Sequence, residues 1–160
     1  MGIEKRAEVL FWSIAFPGFG QFLNKKYVKG IFFIILEFTI NVQARLNFAI
    51  MPSFYGKGEL ANASVDYQWI MFYPCVYLFS MYDAYRDAGG EAIRYAFIPF
   101  VTSAYFGTVG IIYSNSITIF NHILGVIWSP ILLHLSGYVV GLLIRKLVML
   151  IISRKQVHSQ

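Results

Sequence analysis

Ionisable and amide side chains inside apolar stretches are the residues best suited to chemistry in this sequence. Glu37, Asn41 and Arg45 lie in the apolar stretch Gly30–Met51. Their spacing places them on one face of a helix, as a polar stripe in which Glu37 and Arg45 are about 12 Å apart along the axis, too far to pair directly. His134 lies midway along another apolar stretch, from which it is able to face Glu37.

Two interpretations of this polar stripe remain open. A charged side chain at mid-bilayer costs about 2.5–3.5 kcal/mol on insertion scales, so it usually faces the protein interior and has a partner. The stripe is then a path or binding site for a proton, an ion or a lipid headgroup. The alternative is a set of interhelical hydrogen bonds that fix packing, each worth about 0.6 kcal/mol. The packing interpretation is favoured, because one stripe does not make a pathway.

A pair of carboxylates follows a third apolar stretch. Asp83 and Asp87 are one helical turn apart, so both point the same way. Such a pair at a bilayer surface is able to hold a divalent ion against a lipid phosphate. Arg86 lies beside the pair and is able to neutralise it. A mixed-charge loop without a metal is therefore the favoured interpretation.

Signatures of enzymes and metal sites are missing from the sequence. It contains no phosphate-binding glycine loop, dinucleotide fingerprint, HExxH or GxSxG motif. The single cysteine is Cys75, and His122, His134 and His158 are far apart. We therefore expect a protein that is not an enzyme and that needs no metal or cofactor.

Small residues recur at the spacing that lets two helices approach closely. Gly137 and Gly141 have the GxxxG spacing, and Ser103 and Gly107 have the related small-xxx-small spacing. Two interpretations remain open for these helix-interface residues. They mediate packing within the chain, or they form an interface with a second copy or a membrane partner.

The composition indicates the environment in which these residues act. The chain has 160 residues, of which 58% are hydrophobic and 13% are charged. A soluble domain has about 25% charged residues, so this chain has too little charge to cover a water-facing surface. Disorder is excluded, because it requires low hydrophobicity. The sequence therefore predicts an all-α integral membrane protein.

Apolar stretches divide the chain into membrane segments. They are Val9–Leu23, Gly30–Met51, Tyr67–Arg86, Tyr95–Tyr113 and His122–Ile144. The first is short and contains proline and glycine, so a re-entrant segment is favoured over a fifth spanning segment. Pro52 is expected to end the second, and a loop Ser53–Asp66 to follow it. Arg145 and Lys146 are expected to interrupt the last helix, leaving Leu147–Ile152 on the membrane surface.

The basic residues predict the orientation of four transmembrane helices. If the first segment does not cross, every lysine and arginine except Arg45 and Lys57 falls on one side of the membrane. The positive-inside rule makes that side, with both termini, cytoplasmic. The net charge of +5 is then explained by anionic lipid headgroups, and no nucleic acid partner is expected.

Two stretches resemble a known group of proteins. Pro17–Gly30 resembles the PGxGQ…KG opening of small, uncharacterised bacterial membrane proteins, which are similar to the two-transmembrane-domain family. Tyr82–Ala88 resembles the aspartate-containing end of that module. The longer outer loop departs from the family, and residues 94–160 lie outside the resemblance. The motif residues are Pro17, Gly18, Gly20, Gln21, Lys29, Gly30 and Asp83.

The resemblance implies a helical membrane module of bacterial origin, with no known enzymatic activity. We expect one membrane domain over 1–160, made of a family-like module (9–88) and a C-terminal helical pair with a basic cytoplasmic tail (89–160). Gln21 is expected to hydrogen-bond Asp83. The first functional hypothesis is an accessory subunit or scaffold of the bacterial cytoplasmic membrane. The alternative is a small transporter, channel or lipid-handling protein that uses the polar stripe.

Overall fold

The chain is helical almost throughout, as the sequence predicts. A computed structural model describes residues 2–157, with side chains for residues 3–154, so His158 lies outside the described part. The helices are α1 (Gly2–Ala15), α2 (Phe19–Leu23), α3 (Tyr27–Gln43), α4 (Leu46–Phe54), α5 (Gly58–Ser64), α6 (Tyr67–Ile70), α7 (Tyr73–Asp87), α8 (Phe97–Ile112) and α9 (Gly125–Val157). A 3₁₀ turn spans Gly90–Ala92. The two-residue strands β1 (Thr118–Ile119) and β2 (His122–Ile123) pair antiparallel.

The helix α9 is long and apolar enough to cross a membrane, and it is the only single helix among residues 2–157 that is. It runs for 33 residues without a break at Arg145 and Lys146. The expected interruption there is wrong, because both residues favour helix and no glycine or proline follows Gly141. The segment 147–152 is therefore a continuation of α9.

The predicted span Gly30–Met51 is broken in the structure. The helices α3 and α4 together are apolar enough to span, but they are bent by 70° at Ala44 and Arg45. Arg45 adopts a left-handed backbone conformation with φ 55°. The carbonyl of Ala44 accepts a hydrogen bond from the backbone N–H of Asp66 at 3.1 Å, which replaces helical pairing at the break. Four straight spans are therefore not supported by the helices observed.

Three other predictions along the chain differ from the structure. Pro52 does not end a helix, since α4 continues to Phe54. The stretch 67–86 is divided into α6 and α7, and Pro74 occupies the first turn of α7, where its missing N–H costs least. The segment expected to be a loop after Pro52 contains α5. The double glycine does end α7, with Gly89 at φ 95°.

The first predicted segment forms a helical hairpin. A turn after α1 leads into α2, and Gly18 has φ 102° there. A Cβ on Gly18 would lie 2.6 Å from the Gly30 carbonyl oxygen, so the close approach of the turn to α3 depends on glycine. A Cβ on Gly20 would lie 2.8 Å from the Ala84 Cβ of α7. The hairpin is therefore packed against α3 and α7.

The main buried cluster lies where the broken helices meet α8 and α9. Its buried members are Ile40, Ala44, Leu46, Ala49, Ala61, Ile70, Ile111 and Val126. Outside this core, large apolar side chains are exposed on each of the longer helices, including Phe11, Phe38, Phe79, Val101 and Leu135. Contiguous exposed apolar surface on this scale is typical of helices that face lipid.

Small residues bring α8 and α9 together. A Cβ on Gly137 would lie 2.6 Å from the Phe106 Cβ, and a Cβ on Gly141 would lie 2.5 Å from the Pro99 Cα. From the other side, a Cβ on Gly110 would lie 2.6 Å from the Pro130 Cα. These glycines therefore lie at a contact within the chain.

We predict that Gly141→Leu destabilises the protein by about 1–3 kcal/mol, because the larger side chain overpacks the α8–α9 contact. The matched control is Val139→Leu, since Val139 is exposed on the same helix. Thermal unfolding in mild detergent measures the difference. Equal melting temperatures for the two variants would show that the contact does not need glycine.

Candidate functional site

A network of charged and amide side chains lies at the end of α7. Asp83 is only 5% exposed. One of its oxygens accepts hydrogen bonds from the Lys29 Nζ at 2.8 Å and from Arg86 at 3.3 Å, and the other accepts from the Gln21 Nε2 at 3.2 Å. Lys29 also reaches Asp87 at 2.9 Å. The Lys29 ammonium thus occupies the position between the two carboxylates that a divalent ion would need.

The network joins three helices. Gln21 belongs to α2, Lys29 to α3, and Asp83 to α7. Gln21 also donates to the backbone carbonyl of Ser80 at 2.9 Å, and Asn24 donates to that of Ala84 at 2.8 Å. The hydrogen bond expected between Gln21 and Asp83 is therefore present, within a larger set of contacts that fixes the hairpin against α3 and α7.

The residues of the sequence motif converge in this region. Gly18 and Gly30 are in close contact, and Gly20 lies against α7. Pro17 is fully buried in the turn before α2. The two halves of the motif are therefore adjacent in space, although more than fifty residues separate Lys29 from Asp83 in the sequence.

A second candidate region is a cavity of about 300 Å³ between α3, α7, α9 and the turn that contains Pro17. Its polar lining groups are Glu37, Tyr73, Tyr77 and His134. The other lining residues are mainly apolar, and among the described residues no lysine or arginine lines it. The cavity is therefore an apolar site with a few convergent polar groups, the usual character of a small-ligand pocket.

Glu37 is the acidic group of the cavity. It is 4% exposed, and its Oε1 accepts a hydrogen bond from the Tyr73 hydroxyl at 2.9 Å. Its Oε2 is buried and has no hydrogen-bond partner among residues 3–154. A buried polar atom without a partner costs free energy, so the structure leaves an unfilled acceptor beside the cavity.

Tyr73 and Tyr77 form the aromatic wall. Their rings stack with centroids 5.6 Å apart and planes 19° apart. Tyr77 donates its hydroxyl proton to the Ile14 carbonyl at 2.6 Å, which ties α7 to the end of α1. Sequence reasoning missed both tyrosines, although they are one helical turn apart in an apolar stretch, with Pro74 between them.

His134 lines the cavity from α9 and is held by α8. Its Nδ1 lies 2.9 Å from the Ser103 carbonyl oxygen, and because a carbonyl only accepts, Nδ1 carries the proton. The Ser103 hydroxyl donates to the His134 carbonyl at 2.9 Å. Gly107 provides the space for the ring, since a Cβ there would overlap the imidazole. The pair Ser103 and Gly107 therefore positions this histidine.

The predicted polar stripe is not continuous. Glu37 and His134 line the same cavity, but no hydrogen bond joins their side chains in the described residues. Asn41 is half-buried, and Arg45 is exposed at the break between α3 and α4, so neither lines the cavity. The stripe is interrupted because α3 ends before Arg45. The helical spacing that would align Arg45 with Glu37 therefore stops at the bend.

Comparison with known proteins gives no match to a family, to a curated protein or to a solved structure. Inference about function therefore depends on the residues and geometry described above.

We predict that Lys29→Met and Asp83→Asn are non-additive in a double-mutant cycle, with a coupling free energy of about 0.5–3 kcal/mol. Lys29→Met removes one donor from the buried Asp83 carboxylate, and Asp83→Asn removes the charge of one of the two carboxylates that Lys29 contacts. The cycle Lys26→Met with Asp83→Asn is the control, because Lys26 is exposed and forms none of the ion pairs of the described residues. Unfolding in mild detergent gives the free energies, and a coupling near zero for Lys29 would contradict the structural role.

Proposed function

We propose that this protein is a membrane protein that binds a small polar ligand in the Glu37 cavity, as a transporter, channel or lipid-handling protein would. The observation that carries the proposal is the unpartnered, buried Oε2 of Glu37 beside a cavity of about 300 Å³. A carboxylate in an apolar interior is expensive and usually functional. The proposal includes no catalytic step.

The proposed arrangement in the membrane has four crossings with both termini in the cytoplasm. The crossings are α3 with α4, α6 with α7, α8, and α9, while the hairpin α1–α2 enters from the cytoplasmic side without crossing. Exposed apolar side chains on these helices support it. So does the distribution of basic residues, because Lys25, Lys26, Arg86, Arg94 and Arg145 then all face the cytoplasm and its anionic headgroups. The resemblance of residues 17–30 and 82–88 favours a bacterial cytoplasmic membrane.

We predict that Glu37→Gln preserves the fold but removes ligand binding. A glutamine oxygen still accepts from the Tyr73 hydroxyl, so the melting temperature in mild detergent stays close to that of the wild type. Native mass spectrometry of protein purified from its membrane then detects a small molecule on the wild type and none on the variant. Gln43→Ala is the control, since Gln43 is an exposed polar residue on the same helix.

A second variant keeps this test independent of the carboxylate. Ile127→Trp places a large side chain in the cavity from α9 and is expected to displace the same ligand. A wild type that carries no small molecule, or variants that retain it, would contradict the proposal. Loss of stability in Glu37→Gln with no loss of ligand would favour a packing role for Glu37.

A second candidate function is that of an accessory subunit or scaffold, and an apolar groove between α7 and α8 favours it. The groove has a volume of about 790 Å³ and includes Cys75, Phe79, Val101 and Ala104 in its lining. The glycines at 137 and 141 are already in contact with α8, so they are not the surface proposed for a partner. A helix of a membrane partner or of a second copy would lie in this groove.

We predict that Ala104→Trp fills the groove and disrupts association with the partner. The expected result is loss of a stoichiometric protein subunit from complexes purified in mild detergent, measured by mass spectrometry. Leu135→Trp is the control, because Leu135 is exposed on α9 and does not line the groove. A wild type that is isolated alone, without a second copy or another protein, would rule out this function.

A further inference from the structure

The Glu37 cavity has the chemistry of a cation site, and this inference rests on the ligand-binding function proposed above. The carboxylate of Glu37 is the acidic group that lines it, and no lysine or arginine of the described residues lines it with Glu37. Tyr73 satisfies one carboxylate oxygen, while Oε2 is left without a donor. A ligand that carries a positive charge and N–H donors would supply a countercharge and hydrogen bonds to this carboxylate.

The walls of the cavity favour an organic cation over a metal ion. Metal ions such as Ca²⁺ need six to eight oxygen ligands, and Mg²⁺ about six. Among the described residues no group of three or more His, Cys, Asp or Glu side chains is placed to hold a metal. The cavity instead offers one carboxylate, two tyrosine rings and aliphatic side chains such as Ile50 and Ile131.

The aromatic wall adds a second recognition element. Tyr73 and Tyr77 stack beside Glu37, and aromatic faces attract ammonium groups, more strongly where water is excluded. The remaining apolar walls suit the hydrocarbon part of such a ligand. A volume of about 300 Å³ is at the small end of ligand pockets, so the ligand is small.

We propose that the cavity between α3, α7 and α9 binds a primary ammonium group attached to a small apolar body, with the Glu37 carboxylate as its acceptor and Tyr73 and Tyr77 as its aromatic wall. The ammonium belongs either to a free amine or to the ethanolamine headgroup of a lipid. His134 lines the same cavity and keeps a proton on Nδ1 against the Ser103 carbonyl.

The experiment compares a charged probe with its neutral counterpart. Titration calorimetry in dodecyl maltoside measures binding of 2-phenylethylammonium and of 2-phenylethanol to the wild-type protein. The expected result is at least tenfold tighter binding of the ammonium. In Glu37→Gln the preference is lost, whereas in Gln43→Ala it is retained. In Tyr77→Leu, which removes one ring, we expect weaker binding of the ammonium with little change for the alcohol.

Addition of lipid to the micelles distinguishes the two sources of the ammonium. Displacement of the probe by phosphatidylethanolamine but not by phosphatidylglycerol identifies the lipid headgroup, and no displacement by either identifies a free amine.

Two results would overturn the inference. If the alcohol binds as tightly as the ammonium and Ile127→Trp blocks this binding, the cavity binds ligands without a preference for charge. The ammonium inference then fails, while the proposed ligand-binding function is kept. No binding of either probe would reject the ammonium ligand, while native mass spectrometry of the wild type decides the proposed function separately.

Discussion

Asp83 is a buried carboxylate whose hydrogen-bond donors come from its own helix α7 and from α2 and α3, more than fifty residues earlier in the sequence. Removing a carboxylate from water is costly unless charged and hydrogen-bonding groups replace the water. Here Gln21 of α2, Lys29 of α3 and Arg86 of α7 replace it together. These hydrogen bonds hold α2 against α3 and α7. The same contact needs glycine at positions 18 and 20, because a Cβ there would collide with neighbouring residues.

The cavity that Glu37 lines has the opposite character to this neutralised carboxylate. Pro17 connects the two regions, since it precedes Gly18 in the turn and also lines the cavity. Glu37 lies on the same helix as Lys29, about two turns further along, yet it has a single hydrogen bond from Tyr73. Both oxygens of the Asp83 carboxylate on α7 are therefore hydrogen-bonded, whereas only one oxygen of the Glu37 carboxylate on α3 is. That difference in partners is the reason for proposing a binding site at Glu37 and a structural role for Asp83.

Much of the architecture could be predicted from residue types. The apolar stretches predict an all-helical chain, the double glycine predicts the end of α7, and the expected hydrogen bond between Gln21 and Asp83 is present. The bend at Arg45 could not be predicted, because neither glycine nor proline occurs between Gln43 and Leu46. It depends on tertiary contacts, among them the hydrogen bond from Asp66 to the Ala44 carbonyl. The aromatic wall was missed for a similar reason, since tyrosines in an apolar stretch give no signal of which cavity they line.

In the membrane arrangement proposed above, the length of the continuous helix α9 makes the protein sensitive to bilayer thickness. Its 33 residues make it about 50 Å long, whereas the hydrocarbon core of a bilayer is about 30 Å thick. A helix of this length in a thinner bilayer tilts further or extends more of its basic end into water. Because the glycine contacts at 137 and 141 hold α8 against it, the two helices tilt as one body. His134 is part of that body and Glu37 is not, so bilayer thickness becomes a variable that acts on the separation of the two sides of the cavity.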